Sequence, residues 1–96
     1  MKDLEEIKTK LTVHKNRLSE KYHISKLSVF GSYARGDQQE NSDLDLLVDF
    51  KENIGIKIID LADELEQIIG LKVDLISKNA LKERYFMAIK KDLINV

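Results

Sequence analysis

The sequence lacks cysteine and proline, and it has neither a long apolar run nor a strong net charge of one sign. Without cysteine, disulfides and thiolate metal sites are excluded. The absence of proline fits a compact domain without rigid spacers. No stretch is long or apolar enough to span a bilayer, and the opening MKDLEEIKTK has no signal-peptide apolar region. We therefore expect a cytoplasmic protein without a membrane partner.

The charges are nearly balanced overall but unevenly distributed along the chain. The 16 Lys and Arg residues against 17 Asp and Glu residues lack the basic signature of a dedicated nucleic-acid binder, so we do not expect nucleic acid as a direct partner. Residues 37–66 hold ten acids and two lysines, whereas residues 78–91 hold five basic residues and one acid. An acidic middle suits metal ions, and a basic end suits phosphates or an acidic partner.

The apolar periodicity predicts alternating helices and strands within one domain, residues 1–96. Helices are predicted over about 3–22, 56–69 and 79–91, the last capped by Asn79, with one helical turn at 33–35. Strands are predicted over 26–30, 44–50 and 71–77, with a short edge strand at 93–96. The run 44–50 is apolar on both faces and should be a central strand. This order predicts an α/β (α+β) fold with a small mixed β-sheet covered by helices.

Two aspartates stand one residue apart where the run 44–50 begins, which is unusual for a buried strand. Because strand side chains alternate between faces, Asp43 and Asp45 project the same way, about 6.6 Å apart along the backbone. Such carboxylates repel each other unless a cation lies between them. Asp74 is the lone acid of an otherwise apolar strand, and its side chain can reach the same site. Asp49 lies about 13 Å beyond Asp45 along the strand and is too far away. We predict Asp43, Asp45 and Asp74 as catalytic metal ligands.

A Gly-Ser turn follows the first predicted strand. Gly31 lets backbone approach a phosphate without a Cβ in the way, Ser32 offers a hydroxyl, and the helical turn that begins there points N–H groups at an anion. Arg35 can add a charge-assisted contact, although an exposed arginine beside acids is as often part of a surface ion pair. We predict Gly31, Ser32, Arg35 and Ser42 as nucleotide-binding residues.

Oxygen ligands without nitrogen or sulfur indicate a hard cation, Mg²⁺ or Mn²⁺. Two Mg²⁺ ions about 3.5–4 Å apart can clamp the attacking and leaving oxygens of an in-line phosphoryl displacement. This arrangement suits nucleotidyl transfer, in which an acceptor hydroxyl attacks the α-phosphorus of a triphosphate and pyrophosphate leaves. Asp74 would then orient or deprotonate the acceptor.

The same acids also have a purely structural interpretation. Asp43 can be a turn residue after Ser42, and Asp45 can be an edge-strand charge that opposes aggregation. That interpretation leaves Asp74 unexplained. Several other potential ligands are better explained as the solvated face of a helix or as isolated histidines: Asp60, Asp63, Glu64, His14 and His23.

The complete motif is Gly31-Ser32, ten residues, then Asp43-Leu44-Asp45, and it resembles the signature of the polymerase-β-type nucleotidyltransferase superfamily. The longer stretch GSYARGDQQENSDLDLLV looks like the minimal nucleotidyltransferases (MNT), antitoxins that pair with HEPN ribonuclease toxins. The resemblance covers nearly the whole chain, and Asp74 falls where the family's third carboxylate is expected. It implies a polymerase-β-like nucleotidyltransferase fold and a metal-dependent enzyme that moves AMP from ATP onto a tyrosine of a HEPN toxin.

Three functional hypotheses remain open from the sequence. The first, which we favour, is the enzyme with ATP, two Mg²⁺ ions and a protein hydroxyl as acceptor. The second is a non-catalytic antitoxin that neutralises its partner by direct binding, with a vestigial or regulatory nucleotide site. The third keeps the enzyme but makes the acceptor a nucleic acid or a small hydroxyl compound such as an aminoglycoside. The missing second domain argues against the small molecule, because nothing would enclose it.

Overall fold

The computed structural model describes residues 3–96. Four α-helices and four β-strands follow one another, with two short 3₁₀ turns near the end of the chain. None of the helices in the described range is both long and apolar enough to cross a bilayer. The elements are α1 (Leu4–Tyr22), β1 (Ile24–Phe30), α2 (Ser32–Arg35), β2 (Leu44–Phe50), α3 (Lys57–Ile69), β3 (Val73–Ser77), a 3₁₀ turn (Lys78–Ala80), α4 (Glu83–Ile89), a second 3₁₀ turn (Lys90–Asp92) and β4 (Ile94–Asn95).

The four strands form one mixed sheet in the order β3-β2-β1-β4. Strands β2 and β3 run parallel, and β1 runs antiparallel to both β2 and β4. The parallel pair is joined by α3, as a parallel crossover requires. The α+β class, the mixed sheet and the interior position of β2 predicted from the sequence are therefore confirmed.

The two faces of the sheet differ because side chains alternate along each strand. Helices α1 and α3 cover one face, where Leu44, Leu46 and Val48 of β2 are fully buried. The opposite face carries Asp45, Leu47 and Asp49 of β2 beside Asp74 of β3, and we call it the carboxylate face. The segment from α4 to β4 covers part of this face, and Phe86 and Leu93 line a small cavity with Leu47. The main core lies on the helix-covered face: Ile7, Leu11, Leu18, Tyr22, Val29, Leu44, Leu46, Val48, Leu61, Leu65 and Ile69.

The end of the chain differs from the sequence prediction. Asn79 does not cap the last helix; it lies in the 3₁₀ turn Lys78–Ala80, and the extended backbone of Leu81 then interrupts the helical run. Helix α4 therefore begins only at Glu83, and its Tyr85 is 51% exposed. Three smaller differences concern strand ends, and one of them is that β4 spans only Ile94–Asn95. Strand β1 begins at Ile24, which pairs with Phe50, and β3 begins at Val73.

Glu64 of α3 ties this helix to α1, which corrects its prediction as a purely solvated residue. Its carboxylate accepts hydrogen bonds from Arg17 at 2.8 Å, from Lys21 at 2.9 Å and from the Tyr22 hydroxyl. Only 23% of the Glu64 side chain is exposed. The Tyr22, Arg17 and Lys21 hydrogen bonds lower the pKa of Glu64 from 4.5 to about 2. The cluster therefore acts as a polar clamp between the C-terminal end of α1 and the middle of α3.

We predict that acid weakens the fold through Glu64. A folded-state pKa below the unfolded value gives stability that is fully present above about pH 4.5 and lost as the pH falls towards 2. Because Arg17 and Lys21 are half exposed, solvent screening limits the contribution to about 1–2 kcal/mol. Urea unfolding of Glu64→Gln should show that loss at pH 7 and a smaller difference from wild type at pH 3. Asp63→Asn, on the exposed side of the same helix, should match wild type at both pH values; an equal loss there would contradict the clamp.

Candidate active site

The parallel pairing of β2 and β3 brings two of the predicted acids together. Asp45 and Asp74 are directly opposed Cα partners on these neighbouring strands. Asp43 immediately precedes β2, and the Leu44 N–H that follows it donates to the Lys72 carbonyl at 2.9 Å, so the strand pairing extends to this point. The register therefore gathers Asp43, Asp45 and Asp74 at one end of the carboxylate face.

The three acids interact electrostatically. The pKa of Asp45 is raised, first by partial burial and then by the negative charges of Asp74 and Asp43, while the charge of Arg35 opposes the rise. Asp43 and Asp74 are exposed, so this group of carboxylates is accessible from solvent. Repulsion among carboxylates in this arrangement is relieved when a cation binds between them.

Gly31 lies directly beneath the Asp45 carboxylate. Phe30, the last residue of β1, is the Cα partner of Asp45, so the turn after β1 begins against that side chain. Gly31 has φ +74° and ψ −151°, a backbone conformation that is essentially restricted to glycine. A Cβ at this position would lie 3.1 Å from the Asp45 Cγ and closer still to a carboxylate oxygen. Glycine is thus required both by the turn and by the acid that it contacts.

Ser32, the second residue of the Gly-Ser motif, is the first residue of the one-turn helix α2. The Tyr33 side chain is buried and anchors the turn in the protein. Gly36 ends α2 in the left-handed region, and its N–H donates to the Ser32 carbonyl at 2.8 Å. Ser42 stabilises the next turn, because its hydroxyl accepts from the Gln39 N–H at 2.8 Å. The nucleotide contacts of Ser32 and Ser42 remain predictions.

Arg35 belongs to two ion pairs. Its Nε donates to Asp37 Oδ2 at 3.1 Å, and its Nη1 lies 3.6 Å from Asp92 Oδ2 in the second 3₁₀ turn. Its positive charge also opposes the rise in the pKa of Asp45. No local sequence pattern marks Asp92, and it was not among the predicted site residues. Only the folded path of the chain brings it to Arg35.

The residues present fit a hard divalent cation. Among residues 3–96, no three Asp, Glu or His side chains already form a compact metal-binding cluster. The donor set consists of carboxylates, the ligands that Mg²⁺ and Mn²⁺ prefer. The Asp45 carboxylate occupies the space that a Cβ of Gly31 would fill, and the negative charges of Asp43 and Asp74 repel its own. A cation between these strands would find oxygen ligands and would relieve the repulsion among the three acids.

The other polar residues considered from the sequence lie outside this group. Asp49 is directed to Lys78, 4.0 Å away, and its Cα partner on β1 is Lys26. His14 interacts with Arg17, and His23 ends α1 and pairs with Glu52 at 3.1 Å. None of these contacts reaches Asp43, Asp45 or Asp74.

Comparison with known sequences gives a consistent family. The model of the nucleotidyltransferase domain matches residues 11–95. Protein adenylyltransferase MntA of Thermococcus cleftensis is 42% identical over 97 residues, which cover 100% of this chain and 98% of the relative. A relative from Methanocaldococcus jannaschii, named among the protein adenylyltransferases, is 46% identical over 98 residues and covered completely in both directions.

Comparison with solved structures agrees. A structure described as a minimal nucleotidyltransferase has a TM-score of 0.85 and 32% identity, covering 99% of this chain and 97% of that one. Two more distant structures share the fold: a toxin–antitoxin complex with AMP-PNP, at TM-score 0.72 and 22% identity, and an MNT antitoxin with tri-AMPylated Shewanella oneidensis HEPN toxin, at 0.67 and 16%. The matches span 86% and 93% of this chain, and 69% and 70% of the respective solved chains. The family expected from the Gly-Ser and Asp-x-Asp motif is confirmed. The chain is an enzyme of the nucleotidyltransferase family.

Proposed function

We propose that this nucleotidyltransferase transfers AMP from ATP to a hydroxyl, a tyrosine in the first instance, of a HEPN-type toxin and acts as its antitoxin. The observation that carries the proposal is the opposition of Asp45 and Asp74 across two parallel strands, with Gly31 against the Asp45 carboxylate. This geometry combines carboxylates that suit a hard cation with the Gly-Ser turn at which we place the triphosphate. An ATP-dependent reaction on a protein partner also fits the expected cytoplasmic location.

The relatives support the choice of protein as acceptor. The relatives that span this chain are named protein adenylyltransferases, and identity reaches 42–46% over their full or nearly full length. Of the two more distant structures, one contains AMP-PNP with a toxin–antitoxin complex, and the other contains an AMPylated HEPN toxin with its MNT antitoxin. ATP as donor and a toxin as acceptor are therefore the most economical assignments for the site described here.

In the proposed reaction the acceptor hydroxyl oxygen attacks the α-phosphorus of ATP. A new oxygen–phosphorus bond forms, the bond from the α-phosphorus to the α,β-bridging oxygen breaks, and its electron pair leaves with pyrophosphate. Asp74, on the sheet edge and exposed to an incoming partner, accepts the hydroxyl proton. Gly31, Ser32 and Ser42 line the triphosphate side, and Arg35 supplies positive charge.

Asp43, Asp45 and Asp74 would hold two Mg²⁺ ions. Bound there, the ions supply Lewis-acid stabilisation of the charge that develops on the attacking and leaving oxygens. Asp45 belongs to the centre of this set, because its partial burial and its two acidic neighbours make its carboxylate the one that most needs a compensating cation. The exposed Asp43 and Asp74 flank it on either side.

The direct test combines the purified chain with ATP, MgCl₂ and a purified HEPN-type toxin from the same genome. We expect intact-mass spectrometry to show the toxin heavier by one or more adenylyl groups, with release of pyrophosphate. EDTA should stop the reaction, and peptide mapping should place the modification on a tyrosine. An unmodified toxin that the chain nevertheless neutralises would instead support inhibition by direct binding.

A second measurement separates the two antitoxin mechanisms in cells. The double variant Asp43→Asn, Asp45→Asn should fail to rescue growth against the co-expressed toxin, although it remains folded and expressed. Rescue with wild-type potency would show that the carboxylates are not needed for neutralisation. Binding of the double variant to the toxin, measured in parallel, distinguishes lost chemistry from lost association.

A further inference from the structure

We propose that Asp92 is a positioning residue for the nucleotide, acting through Arg35. The inference rests on the proposed function, because it assigns to Arg35 a contact with the triphosphate of ATP. Its basis is the ion pair between Arg35 Nη1 and Asp92 Oδ2 at 3.6 Å, which joins the Gly-Ser helix to the C-terminal segment of the chain. Only 22% of the Asp92 side chain is exposed, so this partner is more sheltered than Asp37, at 60%.

The C-terminal segment is anchored to the sheet on the side of Arg35. Strand β4 pairs with β1, and the Val96 N–H donates to the Leu27 carbonyl at 3.0 Å. The Ser28 hydroxyl, buried in the sheet, donates to the Asn95 side-chain oxygen at 3.0 Å. Asp92 therefore has a position fixed relative to β1, the strand that leads into Gly31 and Ser32.

Asp37 cannot provide the same reference point. It lies two residues beyond Arg35, and its N–H donates to the Ser32 carbonyl at 3.0 Å, so its position is set by the same helical turn as the arginine with which it pairs. Asp92 reaches Arg35 from another element and holds the guanidinium relative to the sheet. The Arg35 guanidinium is thus tied to a part of the chain outside its own turn, and its positive charge opposes the effect of the neighbouring acids on the pKa of Asp45.

Fixing this side chain favours binding of a triphosphate. An unrestrained arginine loses substantial rotamer entropy when a ligand immobilises it, and that loss weakens binding. The Arg35 guanidinium has five N–H donors: its Nε donates to Asp37, and its Nη1 side faces Asp92 in an ion pair at 3.6 Å. The remaining donors of the planar group are then held in a defined direction for phosphate oxygens.

The test measures ATP binding to wild type, Asp92→Asn, Asp92→Glu and Arg35→Ala by calorimetry in Mg²⁺, and then the KM for ATP and kcat for AMP transfer. We expect Asp92→Asn to raise the Kd and KM for ATP about 5- to 10-fold with kcat within about twofold, and Asp92→Glu to restore most of the affinity. In the Arg35→Ala background, Asp92→Asn should have no further effect, because the two residues act as one unit.

Asp49→Asn is the matched control. Asp49 is also a partly exposed acid in a surface ion pair, with Lys78 at 4.0 Å, but it does not touch Arg35. It should bind ATP like wild type. The positioning role would be overturned if Asp92→Asn bound ATP as tightly as wild type, or if it weakened ATP binding just as much in the Arg35→Ala background. A variant that lost only melting temperature and no ATP affinity would overturn it as well. A wild-type protein that binds ATP but modifies no toxin would instead refute the proposed acceptor, and the binding data would still decide the role of Asp92.

Discussion

Replacing Asp45 by asparagine should abolish AMP transfer and at the same time raise the thermal stability of the protein. The amide keeps the size of the carboxylate and its place against Gly31, but it removes the charge that would bind the metal ions. Loss of a charge-stabilising group at a phosphoryl-transfer site should lower kcat by at least about 10³-fold. Radiolabelled AMP incorporation into the toxin measures this loss directly.

The stability gain follows from the raised pKa of Asp45. Burial and the charges of Asp74 and Asp43 disfavour the ionised form in the folded state. Because the folded-state pKa lies above the unfolded value, protonated Asp45 favours the folded state at low pH. This stability is lost as the pH rises through the folded pKa and the carboxyl ionises. In EDTA at pH 7, Asp45→Asn should therefore melt at a higher temperature than wild type, and the difference should shrink towards pH 3.

Mg²⁺ should reverse the order of stability. A bound cation stabilises the folded wild-type protein by mass action, and the variant has lost part of the site that gives this effect. Asp63→Asn, on the exposed face of α3, serves as the control that should retain both activity and the Mg²⁺ response. Undiminished transfer by Asp45→Asn would remove Asp45 from the metal site, and an unchanged melting temperature in EDTA would contradict the electrostatic conflict assigned to it.

The central part of the fold was predictable because its signals are local. Strand alternation placed Asp43 and Asp45 on one side, and the lone acid in the third strand pointed to Asp74. The register that makes Asp45 and Asp74 direct partners was not contained in any one segment, since it depends on how α3 carries the chain back to the sheet. Recognition of the motif supplied the family, and the structure supplied the pairing of the two strands.

The remaining features were missed because they join distant parts of the chain. Glu64 matches the pattern of a solvated helix position, yet α1 brings Arg17 and Lys21 to its carboxylate. Asp92 looked like one more charge near a basic end, and only β4 pairing places it beside Arg35. Long-range ion pairs of this kind leave no periodic signal in the sequence.

Gly31→Ala should inactivate the enzyme without any change to a predicted metal ligand. The new Cβ would overlap the Asp45 carboxylate, so either that carboxylate leaves its position or the turn before Ser32 shifts. The backbone at φ +74° and ψ −151° adds a cost of about 1–3 kcal/mol for a residue with a side chain. We expect transfer to fall at least about 10²-fold, together with a clear loss of stability in urea unfolding.

Gly36→Ala separates the two causes. Gly36 also has a positive φ, +82°, but a Cβ there would meet no atom within 4 Å. Its alanine variant should lose about 1 kcal/mol of stability from backbone strain while it keeps most of its transfer activity. The double variant Gly31→Ala, Asp45→Asn should recover little activity. Both changes deprive the site of the same carboxylate, one by displacing it and the other by replacing it with an amide. Equal activity of the two alanine variants at a temperature where both are folded would show that the contact between Gly31 and Asp45 does not position the metal site.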